Sequence, residues 1–367
     1  MEENNLPSCC FKSVIMNLPQ ISLAVLRPLL FGALVSSTCH LGAQGQPPVV
    51  ASTNPPVPAA VAPPIPDAPA VLPGNGLAAH DFFYAGESKI EKMQIVRDGK
   101  IVWSYTHPAN GEISDATLYA NGNILFAHQH GVTEINAAKQ VVWNYDAPAN
   151  TEIHTAQRIG RDHVLFIQNG NPALLKVVNT VTGVAEKEIV LPVGNPKSTH
   201  GQFRHARLTP AGTLLVAHMD LGRVSEYDAG GKEVWSVAVP GPWSATPLKN
   251  GNILVCDKNR AVREINREGK TVWQFAPTDA PGYKLSSIQI ASRLPNGNTL
   301  INNWFNQWSA KLDPVNTPVQ AIEVTPDKQI VWTLRSWTPP ADLGPSTIIQ
   351  MLNEPVSSEG LKFGEIH

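Results

Sequence analysis

Apolar and polar residues alternate in short runs along most of the chain, and the runs recur. One phrase appears five times: QIVRDGKIVWSY at 94–105, TEINAAKQVVWNY at 133–145, SEYDAGGKEVWSV at 225–237, REINREGKTVWQF at 263–275 and IEVTPDKQIVWTL at 322–334. Each copy reads as a strand, a turn with Gly, Asp or Lys, and a strand carrying Val-Trp. The tryptophans fall at 103, 143, 235, 273 and 332, and the wide gap after Trp143 holds a copy without Trp at 175–192. A second phrase precedes the first in each unit: ATLYANGNILFAHQH, AQRIGRDHVLFIQNG, ARLTPAGTLLVAHMD, ATPLKNGNILVCDKN and ASRLPNGNTLINNWF. Asn-Gly between alternating runs predicts a two-residue type I′ hairpin.

A unit of about 40–50 residues with four short antiparallel strands is the signature of a propeller blade. Five copies are complete. The segment HDFFYAGESKIEKMQIVRDGKIVWSY at 80–105 lacks an innermost strand, and GPSTIIQML at 344–352 lacks a blade. Joining them predicts an all-β, six-bladed β-propeller of four-stranded antiparallel blades, closed by pairing the C-terminal strand with the N-terminal blade. The repeat tryptophans then belong to the packing between blades.

Composition refines the picture. Lys plus Arg number 28 against 30 Asp plus Glu, so no basic excess serves nucleic acid. Residues 21–35, ISLAVLRPLLFGALV, followed by small residues and Ala43-Gln44-Gly45, read as an export signal over 1–45 that begins at Met1 or Met16. Thr38 fits poorly before a lipid-anchored Cys39, so a periplasmic or secreted protein without a transmembrane domain in the mature chain is expected. Three of the four cysteines precede residue 40, leaving Cys256 alone, with no internal disulfide and no Cys-based zinc site. Residues 46–76 carry ten prolines and read as a disordered spacer. The propeller is expected over 77–355, starting near Leu77, with a tail over 356–367.

The chain resembles the quinoprotein-like (PQQ-like repeat) propellers and the related arylsulfotransferase-like propellers of exported bacterial proteins. Phrases such as HDFFYAGE, ISDATLYANGNIL, GQFRHARLT and NGNTLINNW carry that resemblance over roughly 78–355. It implies the fold, whereas function has to come from a site. Quinone-binding members typically show eight blades, a stacking Trp and a vicinal Cys pair. Here the adjacent pair, Cys9-Cys10, lies ahead of the apolar run of the export segment, outside the propeller, so PQQ is not expected.

With Asn-Gly as the turn, Asp115 is expected opposite His128, Thr155 opposite Gln168, His205 opposite His218, Ser244 opposite Asp257, and Ile290 opposite Asn303. One residue earlier come Ser114, His154, Arg204, Trp243 and Gln289. The candidate ligand residues are Asp115, His128, His154, Gln168, Arg204, His205, His218, Trp243, Asp257 and Asn303, facing one mouth of the channel. Tyr84 and Glu87 are rim candidates, and His200 is placed to overhang the mouth. His128 with His130, and His205 with His218, are the imidazole pairs with metal-ligand spacing, but no cofactor or metal is assigned.

Three function classes follow. The first is a module binding a small polar molecule or glycan. The second is an enzyme of arylsulfotransferase-like or polysaccharide-lyase-like type with His205 or His154 reacting and Arg204 neutralising charge. The third is a scaffold for a protein partner.

Overall fold

The computed structural model describes residues 69–87, 91–108, 111–353 and 355–367. The segment read as an export signal, Cys9, Cys10, Cys39 and most of the proline tract lie outside the described residues. Among the described residues, no helix is long and apolar enough to cross a membrane.

Among the described residues, twenty-four strands form six four-stranded antiparallel sheets. The innermost strands of blades 2 to 6 are Ile113–Leu118, Glu152–Ile159, Phe203–Leu208, Pro242–Pro247 and Ile288–Arg293. Blade 1 takes its innermost strand, Ile348–Met351, from the far end of the chain. It pairs with Phe82–Gly86, Phe82 opposite Met351 and Ala85 opposite Ile348. The ring thus closes as the repeat arithmetic requires, and no edge is left at the junction.

Alternation explains which faces pack. The second strands, such as Ile124–His128 and Leu214–His218, are buried throughout because neighbouring blades cover both their faces. The outermost strand Lys100–Thr106 alternates exposed and half-buried. Its Trp103 reaches to the next blade, where the indole Nε1 donates to Ala137 O at 3.0 Å. Trp235 does the same to Arg267 O and Trp273 to Pro326 O. Trp332, in the last blade, donates to Gly76 O at 2.8 Å. That acceptor belongs to the end of the proline tract. Thr333 N also donates to Pro73 O, and Arg335 to Pro69 O and Ala70 O. Residues 69–76, read from composition as spacer, are therefore seated on blade 6.

The hairpin turns differ from the expectation. Gly122 N donates to Tyr119 O and Tyr119 N to Asn123 O, so the loop holds three residues, with positive φ at Gly122 alone (85°). Asn121 keeps a negative φ because its own Oδ1 accepts from Asn123 N at 3.0 Å. Gly251 and Gly297 repeat the arrangement. The extra loop residue shifts the register by one. A bulge shifts it again in all five of these inner strands, between Ile113 and Asp115, Ile153 and Ala156, Phe203 and Ala206, Pro242 and Ser244, and Ile288 and Ala291. His128 consequently faces Ile113, Gln168 faces Ile153, His218 faces Phe203, Asp257 faces Pro242 and Asn303 faces Ile288, not the residues expected from the sequence.

The C-terminal segment is not a free tail. Phe363 is fully buried in the core between blades 3 and 4, and Arg161 pairs with Glu359 at 2.9 Å.

Candidate functional site

The bulges divide the ten expected ligand residues into two sets. Those on second strands turn into the blades. His128 Nε2 bonds Thr133 Oγ1, Gln168 Oε1 accepts from Tyr145 OH, and His218 Nε2 meets Tyr227 OH. Asp257 pairs with Arg263 at 2.6 Å, and Asn303 donates to Lys284 O and Val319 O. None of the five lines the mouth cavity. Of the expected imidazole pairs, His128 and His218 are engaged within blades, whereas His130 is exposed and His205 lines the mouth cavity; Tyr84 is buried with its hydroxyl donating to Gly344 O.

First-strand residues do face the channel, because a bulge aims two successive side chains inward. Asp115 forms the waist. Its carboxylate takes both Arg207 amino groups at 2.7 Å and accepts from Thr155 Oγ1 at 3.0 Å and Ala156 N at 3.2 Å, tying three blades together. Burial works against its ionisation, but Arg207 and His205 outweigh that and hold it below the usual carboxylate range. Asp115→Ala strands a buried guanidinium, so a loss of about 3–5 kcal/mol of stability is expected in urea unfolding; a change below about 1 kcal/mol would show the pair to be incidental.

Above this waist lies a cavity of about 340 Å³ lined by Glu87, Glu112, Ser114, His200, Arg204, His205, Trp243, Gln289, Trp304, Asn306 and Trp308. Arg204 is its centre. It is 5% exposed, its guanidinium lies 5.3 Å over the Trp243 ring, and its Nε and Nη1 have no partner. Its remaining amino group donates to His200 Nε2 at 2.7 Å. Burial, Glu112 and Glu91 push the Glu87 carboxyl well above its ordinary range against the pull of Arg204, so it can donate as well as accept.

Beneath the cavity wall is a hydrogen-bonded chain. Ser114 Oγ lies 2.9 Å from His154 Nδ1, and His154 Nε2 lies 2.9 Å from Glu152 Oε2. The same oxygen takes His200 Nδ1 at 2.9 Å, and Gln129 Nε2 holds Glu152 Oε1 at 3.0 Å. Burial and Arg204 lower His154 to about 3, so its imidazole is neutral at ordinary pH.

Of the expected residues, the structure therefore brings Arg204, His205 and Trp243 to the mouth, with His154 buried behind its wall and His200 and Glu87 as rim. It adds Glu112, Glu152, Trp304, Asn306 and Trp308. Glu112 and Glu152 were signalled by Glu-Ile-Ser and Glu-Ile-His, where spacing of two puts each carboxylate on the side of the residue that follows. Among the described residues, Glu112, His154 and His200 bring three ligand atoms within 4.8 Å. They fit an ion poorly, since His154 Nδ1 already faces Ser114 and His200 Nε2 accepts from the cationic Arg204.

The repeat, the blades and the closure define the class of the protein, a six-bladed β-propeller, and part of it is similar to propellers of PQQ-like repeats. The family model PQQ_2, described as outer membrane protein assembly factor BamB, matches residues 192–303. A solved structure of a protein of unknown function from Bacteroides caccae is 25% identical, covers 75% of this chain and 100% of its own, and superposes with a TM-score of 0.65. A catalytically inactive virginiamycin B lyase from Staphylococcus aureus with quinupristin is 14% identical, covering 72% and 87% of the two chains with a TM-score of 0.48. No curated protein matches the sequence.

Proposed function

We propose that the protein binds a small polar ligand, a saccharide, at the Arg204 mouth of the channel. The observation that carries this is Arg204 itself: a buried cation that lines the cavity and whose Nε and Nη1 have no hydrogen-bond partner. Leaving such donors unpaired costs stability unless a ligand or water takes them. The surroundings select the chemistry. Three tryptophans offer apolar ring faces, Glu87 and Glu112 offer acceptors, and Gln289 and Asn306 offer both donors and acceptors. A sugar ring presents the complement, with apolar C–H faces and a girdle of hydroxyls. The carboxylates beside Arg204 disfavour a multiply charged anion. Export through the leading segment, as read from the sequence, would place this site where free glycans occur.

The test is a thermal-shift panel of neutral and uronic mono- and disaccharides on the wild type and on Arg204→Met. A ligand of the native state raises the melting temperature by mass action. We expect a shift with at least one saccharide, and affinity reduced about 10–100-fold in Arg204→Met, matching hydrogen bonds to a charged donor. A saccharide that shifts both proteins equally would remove the site from this mouth.

A further inference from the structure

The Ser114–His154–Glu152 chain goes beyond binding. Its proton positions follow from the partners. Arg204 can only donate, so His200 Nε2 accepts and the His200 proton sits on Nδ1, directed at Glu152. His154 Nε2 faces that same carboxylate oxygen, so it too carries a proton and donates. His154 Nδ1 is then a bare lone pair, and the Ser114 hydroxyl donates to it at 2.9 Å. Glu152 is held in turn by Gln129. This is a hydroxyl, a base and an orienting carboxylate in series, the order that activates a serine in unrelated folds. The imidazole is turned so that Nδ1 serves the serine and Nε2 the carboxylate; both nitrogens belong to one conjugated ring, so the relay is unchanged.

Location completes the argument. Ser114 is the extra residue of a bulge, lines the cavity and is 6% exposed, whereas His154 beneath it is covered. Arg204, a cation with unpaired Nε and Nη1, lines the same cavity, where an oxyanion would need a donor.

We propose that Ser114 is a nucleophile that removes an O-acyl group from the ligand held at this mouth, making the protein a saccharide O-acyl esterase. The substrate class rests on the saccharide reading above; the nucleophile does not. Ser114 Oγ bonds to the ester carbonyl carbon, the C=O π pair moves to oxygen beside Arg204, and the serine proton passes to His154 Nδ1. The bond from carbon to the sugar oxygen then breaks, that oxygen takes the proton from His154, and acyl-Ser114 remains. Water repeats the sequence, releasing the carboxylic acid and restoring Ser114. No oxidant, metal or cofactor enters the balance.

The low proton affinity of His154 has Arg204 as one cause, and an oxyanion on Arg204 cancels that contribution as the proton arrives. Because His154 is already neutral well below pH 5, the rate should stay level between pH 5 and 8 rather than fall through the usual histidine range.

The experiment treats the full chain with a fluorophosphonate probe, maps the adduct by peptide mass spectrometry, and follows p-nitrophenyl acetate hydrolysis over pH 5–8. The proposal expects one adduct, on Ser114, and about 100-fold or greater loss of hydrolysis in Ser114→Ala and His154→Gln, whose melting curves report their folding. No adduct on Ser114 in the folded wild type, with hydrolysis unchanged in a folded Ser114→Ala, overturns it. Saccharide binding without labelling sinks the nucleophile and leaves the binding site. Labelling of Ser114 without any saccharide binding keeps the nucleophile and removes the sugar as its substrate.

Discussion

Removal of residues 344–367 is expected to leave a chain that does not fold. The deleted strand Ile348–Met351 covers Phe82, Phe83 and Tyr84, all fully buried in the closed ring. Each large apolar side chain returned to water costs about 1.5–3 kcal/mol, against a total domain stability of about 5–15 kcal/mol. The deletion also removes Phe363 from the core between blades 3 and 4 and leaves the edge of blade 1 unpaired. A subtler variant, Ile349→Asp, keeps the length but places an unpaired carboxylate where Ile349 is 4% exposed. Circular dichroism and urea unfolding should show no cooperative transition for the truncation and a loss of several kcal/mol for Ile349→Asp. A truncated chain that melts cooperatively near the wild-type temperature would mean that five blades and an open edge suffice.

Acid sensitivity is the second large effect. His128 and His218 are lowered to about 3, burial being the leading cause, as it is for His154. In the unfolded chain each returns to about 6.5. The folded state therefore favours the neutral imidazole, and between pH 6.5 and 3 the unfolded state binds more protons. Stability is fully present above about pH 6.5 and is lost as pH falls towards 3. Each histidine contributes a slope of about 1.4 kcal/mol per pH unit in that window, so three together reach about 4 kcal/mol per unit. Asp115 adds to the loss at lower pH, because its folded value lies below its unfolded one of about 3.9. Calorimetry from pH 7.5 to 4.5 should show the melting temperature falling steeply below pH 6.5. A melting temperature constant within a few degrees over that range would contradict the buried neutral histidines.

The architecture was legible because one device is repeated in nearly every blade. Val-Trp marks the outer strand because the indole must reach the next blade's turn, and Asn-Gly marks the inner hairpin. Even the closure could be counted, since a blade lacking a strand and a strand lacking a blade leave one solution. Side-chain direction was not legible. Asn-Gly suggests a two-residue turn, but Asn121 bonds its own backbone and the loop takes a third residue. The inner bulges have no residue signature: Ser114, His154, Arg204, Trp243 and Gln289 share a position, not a chemistry. Two such shifts sent His128, Gln168, His218, Asp257 and Asn303 into the blades. A one-residue slip exchanges faces, so errors of this kind move a whole row. Loop geometry hid Glu112, which precedes its strand, whereas His200, in another link, was expected to overhang the mouth and lines it. A second repeated device also escaped notice: Glu134, Glu264 and Glu323 each accept from hairpin asparagines of their own blade, and the first two also pair with Arg158 and Arg293 of the next.

The mouth of the channel is the centre of the account, and a soak addresses it most directly. Crystals of the protein would be soaked in a mixture of D-glucose, D-xylose and D-glucuronate at high concentration, and the difference density examined at both ends of the channel. The account predicts a sugar ring against Trp243 with an oxygen on the unpaired Nε and Nη1 of Arg204. Density confined to the opposite end, beside Gln157, Arg207 and Gln350, with water alone at Arg204, would contradict it.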